Sequence, residues 1–166
     1  CFVFANAQDA TSYQKPSKEI ADLLLAPPTP TISVDGKAQY MLVMERSLYP
    51  TVEELGQPEF KIAGMRINPN NFSLSRQNYI KQLSLKNLAT GKIVSIAGLP
   101  STLSALSPSW NPSENKIAFY NVTTTAVDVW VIDIKTSTCT KINKSPVNIV
   151  LSNNLIWLDD ATVLYK

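Results

Sequence analysis

The sequence predicts an all-β chain: a partial β-propeller of about two and a half four-stranded antiparallel blades, preceded by a short N-terminal helix. Three observations predict it. The stretch SPSWNPSENKIAFY (107–120) is echoed by NNLIWLDDATVLYK (153–166), which sets Trp110 and Trp157 47 residues apart. That spacing lies within the period of propellers and other repeat arrays. Between the two copies VDVWVIDIKTSTCTKIN (127–143) alternates, turns and runs into another short strand. Four strands per repeat is how a blade is written, and a single blade cannot bury both of its faces alone.

Taken in order, the chain opens on CFVFANAQ, a short apolar run ending in Ala5-Asn6-Ala7. Small-x-small after an apolar run is what signal peptidase accepts, so residues 1–7 are expected to be a signal remnant cut after Ala7. The chain is then exported, to the bacterial periplasm or the extracellular space. Cys1 would leave with the signal, and Cys139 alone forms no internal disulfide. Segment 8–28 carries a short helix over 17–25: Ser17 caps it, Ile20, Leu23 and Leu24 share a face, and Pro27-Pro28 ends it.

The first blade spans 29–96. Asp35-Gly36 between β-rich flanks signals a hairpin whose tight turn uses glycine's positive φ. An insertion at 46–75, with Pro50, Pro58 and Pro69 and a helical turn at TVEEL, interrupts the blade. Residues 79–88 alternate again, Ala89-Thr90-Gly91 turns the chain, and 92–96 returns. The second blade occupies 97–145, with strands at 104–110, 116–121, 127–134 and 138–142. A third begins over 146–166, with only its first two strands before Lys166. Its open edge invites edge-strand association.

Composition narrows the function. The 166 residues are 45% hydrophobic, enough for a core, and the net charge is +2 with no Lys/Arg cluster. Nucleic acid is therefore not an expected partner. No apolar run approaches the roughly 18 residues of a membrane span. The sequence contains no His and only two Cys, far apart, so neither a metal site nor a cofactor is expected. Asp159-Asp160 occupies the turn that matches 111–115 and satisfies backbone groups there.

SPSWNPSENKIAF and VDVWVIDIKTSTCTKIN resemble the blade motif of the propeller in prolyl oligopeptidase-type serine peptidases and TolB-like proteins. More specifically, 13–71, above all MERSLYPTVEELGQPEFKIAGMRINP, resembles the start of an exported bacterial branch of that peptidase family, related to glutamyl endopeptidases. The resemblance implies an N-terminal propeller that filters peptides and a C-terminal α/β-hydrolase domain holding a Gly-x-Ser-x-Gly nucleophile with its Asp and His partners. This sequence stops before such a domain and has no Gly-x-Ser-x-Gly. Without His no imidazole can take and return the serine proton, so no catalytic residue is expected here. The expected role is gating or recognising peptide substrates for the missing hydrolase domain. The alternative is a non-catalytic TolB-like module that binds a protein or envelope partner.

Three residues are candidates for substrate binding. Glu53 and Glu54 resemble the acidic pair with which dipeptidyl-peptidase relatives hold a free amine by charge-assisted hydrogen bonds, the other reading being a solvated helix face. Arg66 is the candidate for gripping a substrate carboxylate, in preference to Arg46 and Arg76, because its flanks are apolar. A structural ion pair with Glu45 or Glu59 is the competing role. Trp110, Trp130 and Trp157 are expected to fill the space between neighbouring blades.

Overall fold

The computed structural model describes residues 14–165. The expected signal remnant at 1–7, Cys1 included, lies outside the described residues. Among the described residues short strands joined by turns dominate, with two short helices; the sheets are antiparallel and none closes on itself.

Helix α1 (Lys18–Leu24) follows Ser17, whose side chain makes no capping hydrogen bond, and it buries none of its residues. Strand β1 (Thr31–Val34) pairs with β2 (Tyr40–Arg46) across a turn built on Asp35. Asp35 Oδ1 accepts the N–H groups of Gln39 and Tyr40 at 2.7 and 2.9 Å. The residue with positive φ in this turn is Ala38, at 52°, rather than Gly36. A Cβ at Gly36 would sit 2.9 Å from Glu114 Oε1, the far end of a flexible side chain that can shift to make room.

The expected insertion contains more than a helical turn. Helix α2 (Val52–Leu55) starts in a complete capping box between Thr51 and Glu54. Behind it β3 (Phe60–Ile62), β4 (Met65–Asn68) and β5 (Ser73–Leu74) form a separate three-stranded sheet. Strand β6 (Ile80–Asn87) then returns beside β2, and β7 (Ile93–Val94) pairs with its far edge. β1, β2, β6 and β7 thus make one four-stranded meander.

The second meander is β8 (Ala105–Trp110), β9 (Lys116–Val122), β10 (Val127–Asp133) and β11 (Thr138–Lys141). β8 bulges between Leu106 and Ser109, where Ser107 takes φ 50° and Pro108 has no N–H to contribute to a ladder. The two meanders join in one eight-stranded sheet through a single residue pair, Ile80 with Ala105. A last hairpin, β12 (Ile156–Trp157) with β13 (Val163–Leu164), stands as its own sheet.

Alternation along the second meander explains the packing, because successive side chains point to opposite faces. Ile117, Phe119, Ile132, Ile134 and Cys139 meet Leu42, Met44, Ile80, Leu83 and Leu85 of the first meander. On the other face Ala118, Tyr120, Val122, Val127 and Val129 meet Val147, Ile149 and Leu155, with Trp157 and Val163 alongside. Strand β9 is accordingly buried at every residue after Lys116. The described residues form two cores, one on each face of the second meander. Trp110 and Trp130 pack half-buried on the first and Trp157 on the second.

Candidate functional site

A cleft of ≈ 260 Å³ opens where the insertion meets the second meander, between α2, the start of β6 and the β9–β10 turn. Glu53, Glu54, Arg76, Tyr79, Lys81 and Ser104 are among the residues lining it. Its floor is set by buried amides. Asn71 Nδ2 donates to the Thr123 carbonyl at 2.7 Å, tying the insertion to the β9–β10 turn. Asn71 Oδ1 takes both the N–H and the hydroxyl of Ser73. Asn121 Oδ1 accepts the Ser104 N–H at 2.8 Å and so fixes the cleft's far wall.

Lys81 is the centre of the charge arrangement. Its Nζ donates to Glu54 and, at 2.9 Å, to Ser104 Oγ, and it lies 5.2 Å from the centroid of the Tyr79 ring. Burial acts to raise the Glu54 carboxyl. The hydrogen bond from Lys81, those from Thr51 and the lysine's charge outweigh it and leave Glu54 below its ordinary value. Burial pushes the Tyr79 phenol up, and the Glu54 carboxylate adds to that against a hydrogen bond with Ser73. The cleft thus holds a Glu–Lys pair beside hydroxyls and amides that are engaged with one another.

The three sequence-predicted residues do not converge. Glu53 and Glu54 both line the cleft, but Glu54 is engaged by Lys81 and by its own capping box. Arg66, on β4, is exposed, lies away from the cleft and donates to Glu59 at 2.9 Å. Arg76 holds the same carboxylate at 2.7 Å while also lining the cleft. These two guanidinium groups hold Glu59 below the ordinary carboxylate range, against its desolvation. Sequence reasoning missed Lys81, Tyr79 and Ser104, which sit in alternating or polar stretches with no motif. It missed Asn71 and Asn121 too, and both are buried.

Among the described residues no group of three or more His, Cys, Asp or Glu side chains is placed to hold a metal. Nor is any described helix long and apolar enough to cross a membrane.

The chain is similar to two curated proteins, each described as a probable glutamyl endopeptidase, chloroplastic. The one from Arabidopsis thaliana is 28% identical over 166 residues, covering 93% of this chain and 17% of the relative. The one from Oryza sativa subsp. japonica is 24% identical over 165 residues, covering 92% of this chain and 18% of the relative. The chain therefore spans about a sixth of the length of the curated relatives it matches. No family model matches, and no solved structure matches. The likeness extends to a peptidase-related family and no further.

Proposed function

We propose that this chain is a non-catalytic wedge of a β-propeller in a serine peptidase related to glutamyl endopeptidases, where it gates or recognises peptide substrates. The carrying observation is the packing of one four-stranded meander between two neighbours, with a separate core on each of its faces. Stacked sheets of this kind are how blades bury themselves around a ring. The similarity to two probable glutamyl endopeptidases over nearly the whole chain supports the peptidase side of the reading. Chemistry belongs elsewhere in the full polypeptide, since this segment has no His to serve a hydroxyl nucleophile. Export to the periplasm or beyond the cell belongs to the same proposal.

Peptides approach through the cleft at the insertion, which Glu53 and Glu54 border; Arg66, on the central strand of the insertion's sheet and outside the cleft, exchanges Glu59 for the acidic side chain of a substrate that extends past the cleft. The test is cleavage of matched peptides containing Glu or Gln by the full-length polypeptide, with and without Arg66→Ala. The proposal expects hydrolysis by the unaltered protein and a several-fold loss of Glu preference in the variant. Hydrolysis with unchanged preference removes Arg66 from the role. A full-length polypeptide that cleaves no peptide and carries no Gly-x-Ser-x-Gly turn overturns the peptidase reading in favour of a TolB-like binding module.

A further inference from the structure

Both seams between successive hairpins share three kinds of contact, an indole N–H on an oxygen, a turn amide on a carboxylate and a lysine on a carbonyl, and the second adds Asn111 Nδ2 and Ser113 Oγ donating to the Asp160 carboxylate. At the first, Trp110 Nε1–H donates to Ser33 Oγ at 2.9 Å, and the Gly36 N–H donates to the Glu114 carboxylate at 2.7 Å. Lys37 Nζ also donates across it to the Ser113 carbonyl at 3.3 Å. At the second seam Trp157 Nε1–H donates to the Ser109 carbonyl at 3.1 Å, and the Ser113 N–H donates to the Asp160 carboxylate at 2.8 Å. Lys116 Nζ reaches the Asp160 carbonyl at 3.2 Å. Ser33 and Ser109 each stand two residues before the turn-forming Asp35 and Asn111. The amide donor moves on by one residue at the second seam because Pro112, in the place of Gly36, has no N–H.

The ladder has a direction. In each seam the later hairpin supplies the indole and the carboxylate; the earlier one supplies the amide, the lysine and the oxygen beneath the indole.

We propose that this ladder is a recognition surface and that the 156–164 hairpin docks one further β-hairpin, bearing a Trp at the end of its first strand and an Asp or Glu in its turn. Asp160 stands where Ser113 stands in the preceding turn, and its N–H has no partner among the described residues. Ile156, Leu158 and Leu164 are 56%, 60% and 49% exposed, an apolar bed beside that amide. A second copy of this chain does not fit, because its leading hairpin has Val34 in the Trp position and Lys37-Ala38 where the carboxylate belongs. The occupant is a further repeat of the full polypeptide, an inference that rests on the propeller reading.

Amide hydrogen exchange on the full-length polypeptide tests it. The Asp160 N–H is expected to exchange at least about tenfold more slowly than an open turn amide, as Ser113 does. Asp160→Ala should abolish protection at Ser113 and spare Gly36, and Glu114→Ala should do the reverse; should either fail to fold, Asp160→Asn and Glu114→Gln should lower the same protections by smaller factors. Free exchange at Asp160, protection that appears only with self-association, or Ser113 protection that survives the substitutions overturns the proposal. Protection at Asp160 in a polypeptide that hydrolyses no peptide leaves the ladder standing and removes only the peptidase reading.

Discussion

Gly98 takes φ 78°, and a Cβ there would lie 2.6 Å from the backbone oxygen of Cys139. The surrounding backbone is pinned, since the Ala97 N–H donates to Ser137 and its carbonyl accepts from Cys139 at 2.7 Å. Gly98→Ala therefore meets both a left-handed penalty of about 1–2 kcal/mol and a clash with backbone that cannot swing away. Gly64 has φ 82° but nothing within 4 Å, so Gly64→Ala meets the first cost alone. Urea unfolding of the two variants is expected to show Gly98→Ala destabilised by more than about 2 kcal/mol and clearly more than Gly64→Ala. Equal losses would mean the close approach to Cys139 does not matter. The first turn makes a related point. Ala38 and Glu114 both carry the positive φ three residues after Asp35 and Asn111, so the repeated carboxylate and amide organise the turn without a glycine at that position.

At the scale of elements, the insertion is held to the second meander by few ties. Asn71 to Thr123 is one, and Lys81, bridging Glu54 of α2 and Ser104, is another. Four-residue α2 has no buried residue and gains little from packing. Lys81→Ala is expected to raise limited proteolysis within 47–58 several-fold while costing about 1 kcal/mol or less globally, because the pair is partly solvated. Glu54→Gln keeps an acceptor for the Thr51 N–H and should loosen the helix less. If neither changes cleavage there, the Lys81 bridge does not hold the segment. The pH response has a definite sign. The Glu54 carboxyl lies below its ordinary value in the folded state, so its contribution is present above that ordinary value and is lost as pH falls through the folded one.

For the whole molecule the two seams matter most. Cys139 lies in the first, against both meanders, and burial pushes its thiol up to about 12. The unfolded chain ionises this thiol near 9, so above that pH the unfolded state gives up its proton first and folding stability falls. Stability by urea unfolding is expected to decline between about pH 9 and 11, with a shallower slope in Cys139→Ala. Tyr79, raised for the same reason, leaves part of the slope in the variant. An unchanged slope would mean that the seam admits solvent at Cys139.

Periodicity and turn chemistry alone determined much of this protein. Alternation in 79–88 and 127–134, the Trp-turn-strand echo and the proline-broken stretch after Arg46 marked the meanders, the last hairpin and the interruption, because each signal is carried by neighbouring residues. The three-stranded sheet of the insertion was not legible, since its strands are two to four residues long and too short for alternation to show. Only the tertiary structure decided that Arg66 turns to Glu59, that Lys81 engages Glu54 and that carboxylates at 114 and 160 hold amides near 36 and 113. Those partners are separated by 7, 27, 78 and 47 residues. A charge along the chain indicates what kind of partner it needs, and chain folding selects which one comes within reach.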